Sequence, residues 1–350
     1  MGLEGIDRRT LLKAGVAAPA VTSASLLLAA PAEASPRVGR TLARGLDYPW
    51  GIGFLPSGNA LVTERNSGRV LRVQPSGGVT EIGTVPGVFN GGGEGGLMGL
   101  AVSPTFSRDR WVYVFVTTRV DNRILRMRYT SSGLGAAQVV LGGIPRGLTH
   151  NGGGLMFSRG RRPSLFASTG DTRRPELAQR RGSLAGKILR MKPDGSPQDG
   201  NPFGNRVFTR GHRNPQGIAL DRFYNIWCTE LGENTWDELN RIRRGRNYGW
   251  PAAEGSDGPG GYSNPFTQWH PENCSPSGLA VARGRAWIGA LRGESLWSVD
   301  LAGRGARRRE RHFEGRFGRI RMVTRAPAGS LWIGTSNGDG RDRIVRIRLG

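Results

Sequence analysis

The 350-residue chain is poor in the residues that form disulfide bonds and metal sites. It contains two cysteines, four histidines and three lysines (Lys13, Lys187 and Lys192). Two cysteines exclude a disulfide-built miniprotein and any site of four thiolates, and the lack of a Cys-x-x-Cys-His string excludes covalently attached c-type haem. Glycine, in contrast, contributes 56 residues. Because short apolar runs separate these glycines, a helical bundle is disfavoured.

Acidic residues are also scarce. Lysine and arginine total 50 against 27 aspartates and glutamates, so the formal net charge is +23. Because the arginines are scattered through every segment and no nucleic-acid-binding module is recognisable, we expect no specific nucleic-acid partner. Loose adhesion to an anionic cell envelope agrees better with this charge.

The first 34 residues are typical of an export signal. The string DRRTLLK at 7–13 has the paired arginines of a twin-arginine signal, and Ala32-Glu33-Ala34 is a small-x-small cleavage site. The apolar stretch between them is short and is interrupted by Pro19, so we expect cleavage rather than a membrane anchor. The sequence thus predicts a twin-arginine signal peptide at 1–34 and an exported, periplasmic or extracellular domain at 35–350.

Six units repeat along this predicted domain. Each contains a short apolar run, a Pro/Gly turn, a second apolar run and a further strand-like segment, which is the pattern of a β-propeller blade. A pair of β-sandwiches is the rival architecture, but sandwiches do not repeat one motif six times. The sequence therefore predicts an all-β, six-bladed β-propeller in which the residues before Gly51 complete the last blade. The units begin at Gly51, Gly99, Gly154, Gly217, Gly278 and Met322.

Blade geometry gathers polar side chains at one mouth of the central channel. The first strand of each blade lines the channel, and the second strand returns to the rim where the first one started. Residues just before the first strands and at the ends of the second strands should therefore converge. A histidine, several arginines and several carboxylates at one rim are typical of a site for an anionic ligand. These residues include His150, Arg213, Arg319, Arg321, Glu64, Glu94, Arg119, Asp171, Glu230, Arg292 and Asn337.

Motifs at this rim resemble those of the soluble glucose/sorbosone dehydrogenases, the aldose sugar dehydrogenase family that uses pyrroloquinoline quinone (PQQ) and calcium. The resemblance extends from about Leu46 to the C-terminus. It implies an exported quinoprotein that oxidises aldose sugars at C1 to lactones and passes electrons to a soluble or membrane acceptor. The matching strings are GEGGL at 93–97, HNGG at 150–153, STGD at 168–171, LAGKILR at 184–190, GHRNPQG at 211–217, DELN at 237–240, NYGWP at 247–251 and RIR at 319–321.

The resemblance implies a role for each of these site residues. His150 matches the family's base, which removes the proton of the anomeric hydroxyl while hydride leaves C1, and Asp171 matches the carboxylate that orients it. Arg213 matches a residue that faces the quinone and stabilises negative charge on its reduction. Arg319 and Arg321 alternate along a predicted strand, so both should point into the channel. The implied cofactor-binding residues are Asn214, Gln216, Arg292, Arg319 and Arg321, and Glu94 is the implied sugar-binding residue.

Calcium is the second cofactor that the resemblance implies. The main-chain carbonyls of Gly232 and Glu233 match ligands that hold one ion against PQQ. Asp237, Glu238 and the carbonyl of Tyr248 match the surroundings of another ion.

The two cysteines, Cys228 and Cys274, are both predicted near the same rim. In an oxidising compartment they could form a disulfide, and the sequence leaves this open.

Two alternatives to the dehydrogenase remain. A non-catalytic sugar- or protein-binding propeller that has lost PQQ is favoured by Leu231, Gly154 and Met322, where the family usually has other residues. A calcium-dependent lactonase is a further six-bladed propeller, but it would need acidic ligands at the channel centre rather than an arginine-rich mouth.

Overall fold

The computed structural model describes residues 1, 35–256, 258–302 and 308–350, and nearly all its regular structure is β. The strands form six antiparallel sheets, five of four strands and one of five. This confirms the predicted all-β, six-bladed propeller. The predicted signal peptide lies, apart from Met1, outside the described residues, so the signal and the boundary after residue 34 stay predictions.

The strand bounds follow the repeat units. The chain begins with β1 (Arg37–Leu46), and blade one is β2 (Pro49–Phe54), β3 (Ala60–Glu64), β4 (Arg69–Val73) and β5 (Val79–Thr84). Blade two is β6 (Leu97–Val102), a short helix α1 (Phe106–Asp109), β7 (Trp111–Thr117), β8 (Asn122–Thr130), β9 (Gly133–Leu134) and β10 (Gln138–Ile144). Blade three is β11 (Leu155–Phe157), β12 (Leu165–Thr169), a 3₁₀ turn (Pro175–Ala178), β13 (Lys187–Met191) and β14 (Val207–Arg210).

The second half of the ring repeats this order. Blade four is β15 (Asn214–Leu220), β16 (Ile226–Leu231), β17 (Asp237–Ile242) and β18 (Thr267–Trp269), and a second 3₁₀ turn (Pro271–Asn273) leads out of it. Blade five is β19 (Pro276–Ala282), β20 (Arg285–Ala290), β21 (Ser295–Asp300) and β22 (Arg309–His312). Blade six is β23 (Ile320–Arg325), β24 (Leu331–Thr335) and β25 (Asp342–Arg348).

The ring closes by pairing the two ends of the domain. Strand β1 pairs antiparallel with β25, so the sixth sheet has the order β1-β25-β24-β23. This confirms that residues before Gly51 complete the last blade. The inner strands β2, β6, β11, β15, β19 and β23 contact one another in turn around the ring. They enclose a central cavity of about 540 Å³.

The glycines that begin the repeats set how closely these inner strands approach. A Cβ atom on Gly154 would lie 2.0 Å from the carbonyl oxygen of Gln216 on the next inner strand, and one on Gly99 would lie 2.1 Å from that of Gly153. Gly217 and Gly278 face the following blade in the same way. The repeated glycine is therefore a packing requirement of the channel wall, because any side chain there would separate two blades.

Six hydrophobic clusters lie between adjacent blades and form the core. The ring of Trp332 in blade six packs edge-on against Phe54 in blade one, with 5.0 Å between centroids. Burial of such side chains stabilises the fold by about 25 cal/mol per Å² of apolar surface. Within the described part of the chain, no helix combines the length and the hydropathy needed to cross a bilayer.

Both cysteines are buried and free. Cys228 packs in the cluster between blades three and four, whereas Cys274 packs in the cluster between blades four and five. Because the two thiols lie on opposite faces of blade four, the disulfide that the sequence left open does not form.

Candidate active site

His150 lies at the mouth of the channel, in the turn that leads into β11. Its φ is 55°, and Gly152 and Gly153 also have positive φ values, so the HNGG string forms a tight turn that glycine permits. The backbone N–H of His150 donates to Oε2 of Glu94 at 3.0 Å. The imidazole Nδ1 lies 2.9 Å from Oδ1 of Asp171, and only 9% of the histidine side chain is exposed. The predicted base and its predicted orienting carboxylate are therefore in direct contact.

Asp171 follows β12 and has partners on both oxygens. Its Oδ1 also accepts the backbone N–H of Arg173 at 2.9 Å, and its Oδ2 accepts the indole N–H of Trp250 at 2.8 Å. An ionised carboxylate accepts hydrogen bonds only, so Nδ1 of His150 carries the proton. The other ring nitrogen, Nε2, then holds the free lone pair that a general base needs.

Arg213 lies beside this pair, just before β15. Its backbone N–H donates to Oε1 of Glu230 at 2.5 Å, and its Nη1 donates to the carbonyl oxygen of Gly232 at 2.5 Å. The guanidinium carbon stands 5.5 Å from the centre of the Trp250 ring. Burial lowers the pKa of Arg213, against the opposing effect of nearby carboxylates, Asp171 first among them. Its Nε is buried and has no partner among the described residues, so this cation can still take an anionic ligand.

A second group of arginines faces the mouth from blades six and one. Arg321 is 7% exposed and donates from Nε to the hydroxyl of Ser336 at 3.1 Å. Burial, followed by the charges of Arg65 and Arg319, lowers the pKa of Arg321 to about 9. Within the described ranges, no carboxylate forms an ion pair with Arg65, Arg213, Arg319 or Arg321. Unneutralised cations at one mouth favour a ligand with several negative charges.

The remaining predicted cofactor residues play different parts. Gln216 accepts hydrogen bonds at Oε1 from the hydroxyl of Ser277 at 2.7 Å and from Nη1 of Arg321 at 3.3 Å, so it braces that arginine. Asn214 accepts the backbone N–H of Gly152 at Oδ1 and thereby fixes the turn after His150. Arg292 is exposed in the turn after β20 and lies outside this hydrogen-bond network.

The arrangement of Arg319 and Arg321 differs from the predicted alternation along one strand. Strand β23 begins at Ile320, and its pairing with β24 is irregular between Ile320 and Met322. Arg319 therefore precedes the strand and is exposed, whereas Arg321 is buried. The two charges still act on each other, because Arg319 contributes to the lowered pKa of Arg321.

The acidic side chains predicted to lie near calcium already accept hydrogen bonds from other groups of the protein. Asp237 accepts the backbone N–H groups of Gly232 and Ser275, and Glu238 accepts the backbone N–H of Gly255 and the side-chain amide of Asn240. Burial raises the pKa of Asp237 to about 6 and, with the charge of Glu230, that of Glu238 to about 8.

No group of three or more His, Cys, Asp or Glu residues in the described part of the chain could hold a metal ion. The Gly232 carbonyl accepts the Arg213 guanidinium, and Tyr248 stacks on His212 with 4.7 Å between ring centroids. These residues do not form a ready-made calcium site. Calcium ligation by Gly232, Glu233, Asp237, Glu238 and Tyr248 therefore stays a prediction from the resemblance.

Three site residues escaped the sequence analysis. Trp250 lies within the NYGWP motif at 247–251, but nothing in the sequence indicated that its indole reaches Asp171. Arg65 follows Glu64 at the end of a second strand, so its position at the rim was the available signal. Glu254 accepts four consecutive backbone N–H groups, those of residues 233–236, at Oε1 and shapes the loop beside Arg213. No pattern in the sequence marked it.

Fold and site together define a six-bladed propeller with an oriented histidine and an anion-attracting mouth. The pattern of the glucose/sorbosone dehydrogenase family matches residues 46–346. The chain therefore belongs to this family, which confirms the predicted family and oxidoreductase class.

Two relatives and one solved structure illustrate the similarity. The PQQ-bound aldose sugar dehydrogenase of Streptomyces coelicolor is 45% identical, with 90% of this chain and 98% of that chain covered and a TM-score of 0.86. The aldose sugar dehydrogenase YliI of Escherichia coli is 28% identical, with 92% and 95% covered. The quinoprotein glucose dehydrogenase B of Acinetobacter calcoaceticus is 30% identical, with 64% of this chain and 54% of that protein covered.

Proposed function

We propose that the protein is a PQQ-dependent dehydrogenase that oxidises aldose sugars at C1 to lactones. The observation that carries this proposal is the contact between His150 and Asp171 beside a group of unneutralised arginines at the channel mouth. The similarity to the aldose sugar dehydrogenases of Streptomyces coelicolor and Escherichia coli supports the reaction class.

The arginines at the mouth fit the three carboxylates of PQQ. Arg321 is buried with neutral partners only, and Arg213 has an unpartnered Nε, so both can donate charge-assisted hydrogen bonds to a carboxylate or a quinone oxygen. Arg319 and Arg65 add positive charge to the same mouth. When bound, PQQ would supply the two-electron acceptor that no amino-acid side chain can provide.

His150 would act on the sugar as a general base. Asp171 holds the proton on Nδ1, so Nε2 can accept the proton of the anomeric hydroxyl as the C1 hydride leaves. The imidazolium that forms is stabilised by the adjacent carboxylate. Glu94, which accepts the His150 backbone N–H, fixes the turn and leaves its other oxygen to contact a sugar hydroxyl. Arg213 would stabilise negative charge that develops opposite the sugar.

Reconstitution tests this function directly. Purified mature protein is mixed with PQQ and calcium, and dye reduction is followed across a panel of aldoses. We expect activity that needs PQQ and falls by at least about 10³-fold in His150→Ala. His312→Gln is the matched control, because His312 lies on the outer strand of blade five and bonds Ser298. A folded protein that fails to bind PQQ would overturn the proposal and favour the non-catalytic binding propeller.

A lactonase would be recognised by a different result. It would hydrolyse an aldonolactone without PQQ, and the activity would not depend on Arg213 or Arg321.

The setting of the enzyme completes the proposal. We infer export by the twin-arginine route, calcium as a second cofactor, and a soluble or membrane electron acceptor. Loose adhesion to an anionic envelope follows from the net charge of +23. Cell fractionation with a twin-lysine variant of Arg8 and Arg9 tests the route, because that variant would stay in the cytoplasm.

A further inference from the structure

We propose that Lys187 is a positioning residue for the His150–Asp171 pair, acting through Gln179 and Trp250. Only its predicted effect on kcat rests on the proposed function, because the contacts among these side chains do not involve the cofactor.

Lys187 begins β13 and has no exposed surface. Its Nζ donates to the carbonyl oxygens of Leu177 at 2.7 Å, Ala178 at 2.9 Å and Ala185 at 2.6 Å. When Lys187 is protonated, its ammonium group has three N–H donors, and these three carbonyl oxygens accept all of them. Two of the acceptors belong to the 3₁₀ turn 175–178, where the carbonyls of Leu177 and Ala178 also accept the backbone N–H groups of Arg180 and Gly211. The lysine therefore fixes this turn to the middle of blade three.

Gln179 follows the 3₁₀ turn and uses its amide to hold a distant loop. Its Nε2 donates to the carbonyl oxygen of Trp250 at 2.6 Å and to Oδ1 of Asn247 at 3.1 Å. Its Oε1 accepts from Asn247 at 2.9 Å and from Nη1 of Arg210 at 2.8 Å. Because this amide is fully bonded, its position fixes the backbone of Trp250.

Trp250 carries this fixed position into the site. Its indole N–H donates to Oδ2 of Asp171 at 2.8 Å, while Oδ1 of the same carboxylate bonds His150. The ring also lies 5.5 Å from the Arg213 guanidinium. One side chain thus contacts both the carboxylate that orients the proposed base and the cation proposed to face the quinone. A displacement of the 3₁₀ turn would reach Asp171 through two consecutive hydrogen bonds, that of Gln179 to Trp250 and that of Trp250 to Asp171.

The chain of contacts predicts how His150 responds. The indole N–H withdraws charge from Asp171, so its loss makes the carboxylate a stronger partner for imidazolium. We therefore expect Trp250→Phe, which keeps the ring and removes the donor, to raise the midpoint of the His150 titration. Lys187→Met, which keeps the length and removes three donors, should shift that midpoint in the same direction but less. The double variant should match Trp250→Phe alone, because both changes act through one bond.

The experiment follows the histidine signals by NMR during pH titration of the protein without PQQ, with the His150 signal assigned by its absence in His150→Gln. Lys192→Met is the matched control, because Lys192 is only partly buried and pairs with Asp199 at 3.2 Å. In the loaded enzyme, Lys187→Met should lower kcat about tenfold and move the acid limb of the pH profile, with KM changed much less. Gln179→Met replaces Lys187→Met if the latter does not fold.

An unchanged His150 midpoint in folded Lys187→Met and Gln179→Met would overturn the positioning role, and so would additive shifts in the double variant. Failure of the proposed function looks different. In that case the wild-type protein oxidises no sugar, while the His150 titration still reports on the chain of contacts.

Discussion

Arg213 donates a hydrogen bond from Nη1 to the carbonyl oxygen of Gly232 at 2.5 Å and a longer one, of 3.3 Å, to the carbonyl oxygen of Leu231. This is one of the oxygens that the resemblance assigns to calcium. A calcium ion sits about 2.4 Å from its carbonyl ligands. Because like charges at such distances repel strongly, ion and guanidinium compete for the same oxygen.

Removal of this guanidinium should therefore strengthen calcium binding. We expect Arg213→Met, stripped of metal, to bind calcium at least about tenfold more tightly than the wild type by titration calorimetry, equivalent to about 1.4 kcal/mol. Arg173→Met is the control, since Arg173 is exposed and points to Thr149. Equal calcium affinities in wild type and Arg213→Met would contradict the competition.

The arginines at the mouth should bind a tricarboxylate even without a quinone. Citrate presents three carboxylates, and at ten times its Kd a ligand stabilises the folded state by about 1.4 kcal/mol. We expect citrate to raise the Tm of the wild type, with a smaller rise at high salt because screening weakens the attraction. Arg321→Gln should lose most of this rise, whereas Arg348→Gln, at the exposed end of β25, should keep it. A full citrate effect in Arg321→Gln would place the anion elsewhere.

The sequence predicted the blades well because their determinants are local. The anchor glycines recur at blade spacing, since each must let one inner strand approach the next. The same regularity placed His150 and Asp171 at one rim, because each follows from its position in a repeat. The match of both to a family motif supplied their chemistry.

What escaped prediction lies in loops whose course depends on tertiary contacts. The segment 243–266 links two strands of blade four, but part of it forms hydrogen bonds with blade three. There the backbone N–H of Tyr248 donates to the carbonyl of Arg210, and the backbone N–H of Trp250 donates to that of Gly211. This excursion delivers the Trp250 indole to Asp171, 79 residues away. No periodic pattern encodes such a contact. The buried Arg321 and the exposed Arg319 differ for a related reason, because an irregular register interrupted the expected alternation.

The channel wall should not tolerate a methyl group at an anchor glycine. A Cβ on Gly154 would lie 2.0 Å from the Gln216 carbonyl oxygen, a rigid backbone atom. We expect Gly154→Ala to lower the free energy of unfolding by more than about 2 kcal/mol, measured by urea denaturation. Gly182→Ala is the control, because its Cβ would meet nothing within 4 Å, and it should stay within about 0.5 kcal/mol of the wild type. Equal stabilities of the two variants would contradict the packing role.

The two thiols should be inert in the native protein. Burial raises the pKa of both Cys228 and Cys274 well above that of a free thiol, and nearby carboxylates such as Glu230 and Asp237 act in the same direction. Since the thiolate is the reactive form, a disulfide-exchange dye at pH 8 should label neither cysteine in the folded protein and both after unfolding without reductant. No labelling after unfolding would show a disulfide and would contradict the separation of the cysteines across blade four.

Lys187 should leave a mark on the pH dependence of stability. Burial, together with the charge of Arg210, lowers the pKa of Lys187 to about 7 from a usual value near 10.5. Between these values the unfolded chain binds a proton that the folded protein does not, so this group makes the free energy of unfolding rise with pH above 7. Below pH 7 both states hold the proton, so this group no longer makes the free energy of unfolding depend on pH.

The variant Lys187→Met removes that rise. The raised pKa values of Asp237 and Glu238 act in the opposite direction, but they are common to both proteins and cancel in the difference. We therefore expect the stability gap between wild type and Lys187→Met to change in favour of the wild type from pH 7 to 8.5, by about 1.4 kcal/mol per pH unit at most. Chemical denaturation at several pH values measures this gap. A gap independent of pH would mean that Lys187 keeps its proton throughout, held by its three carbonyl acceptors.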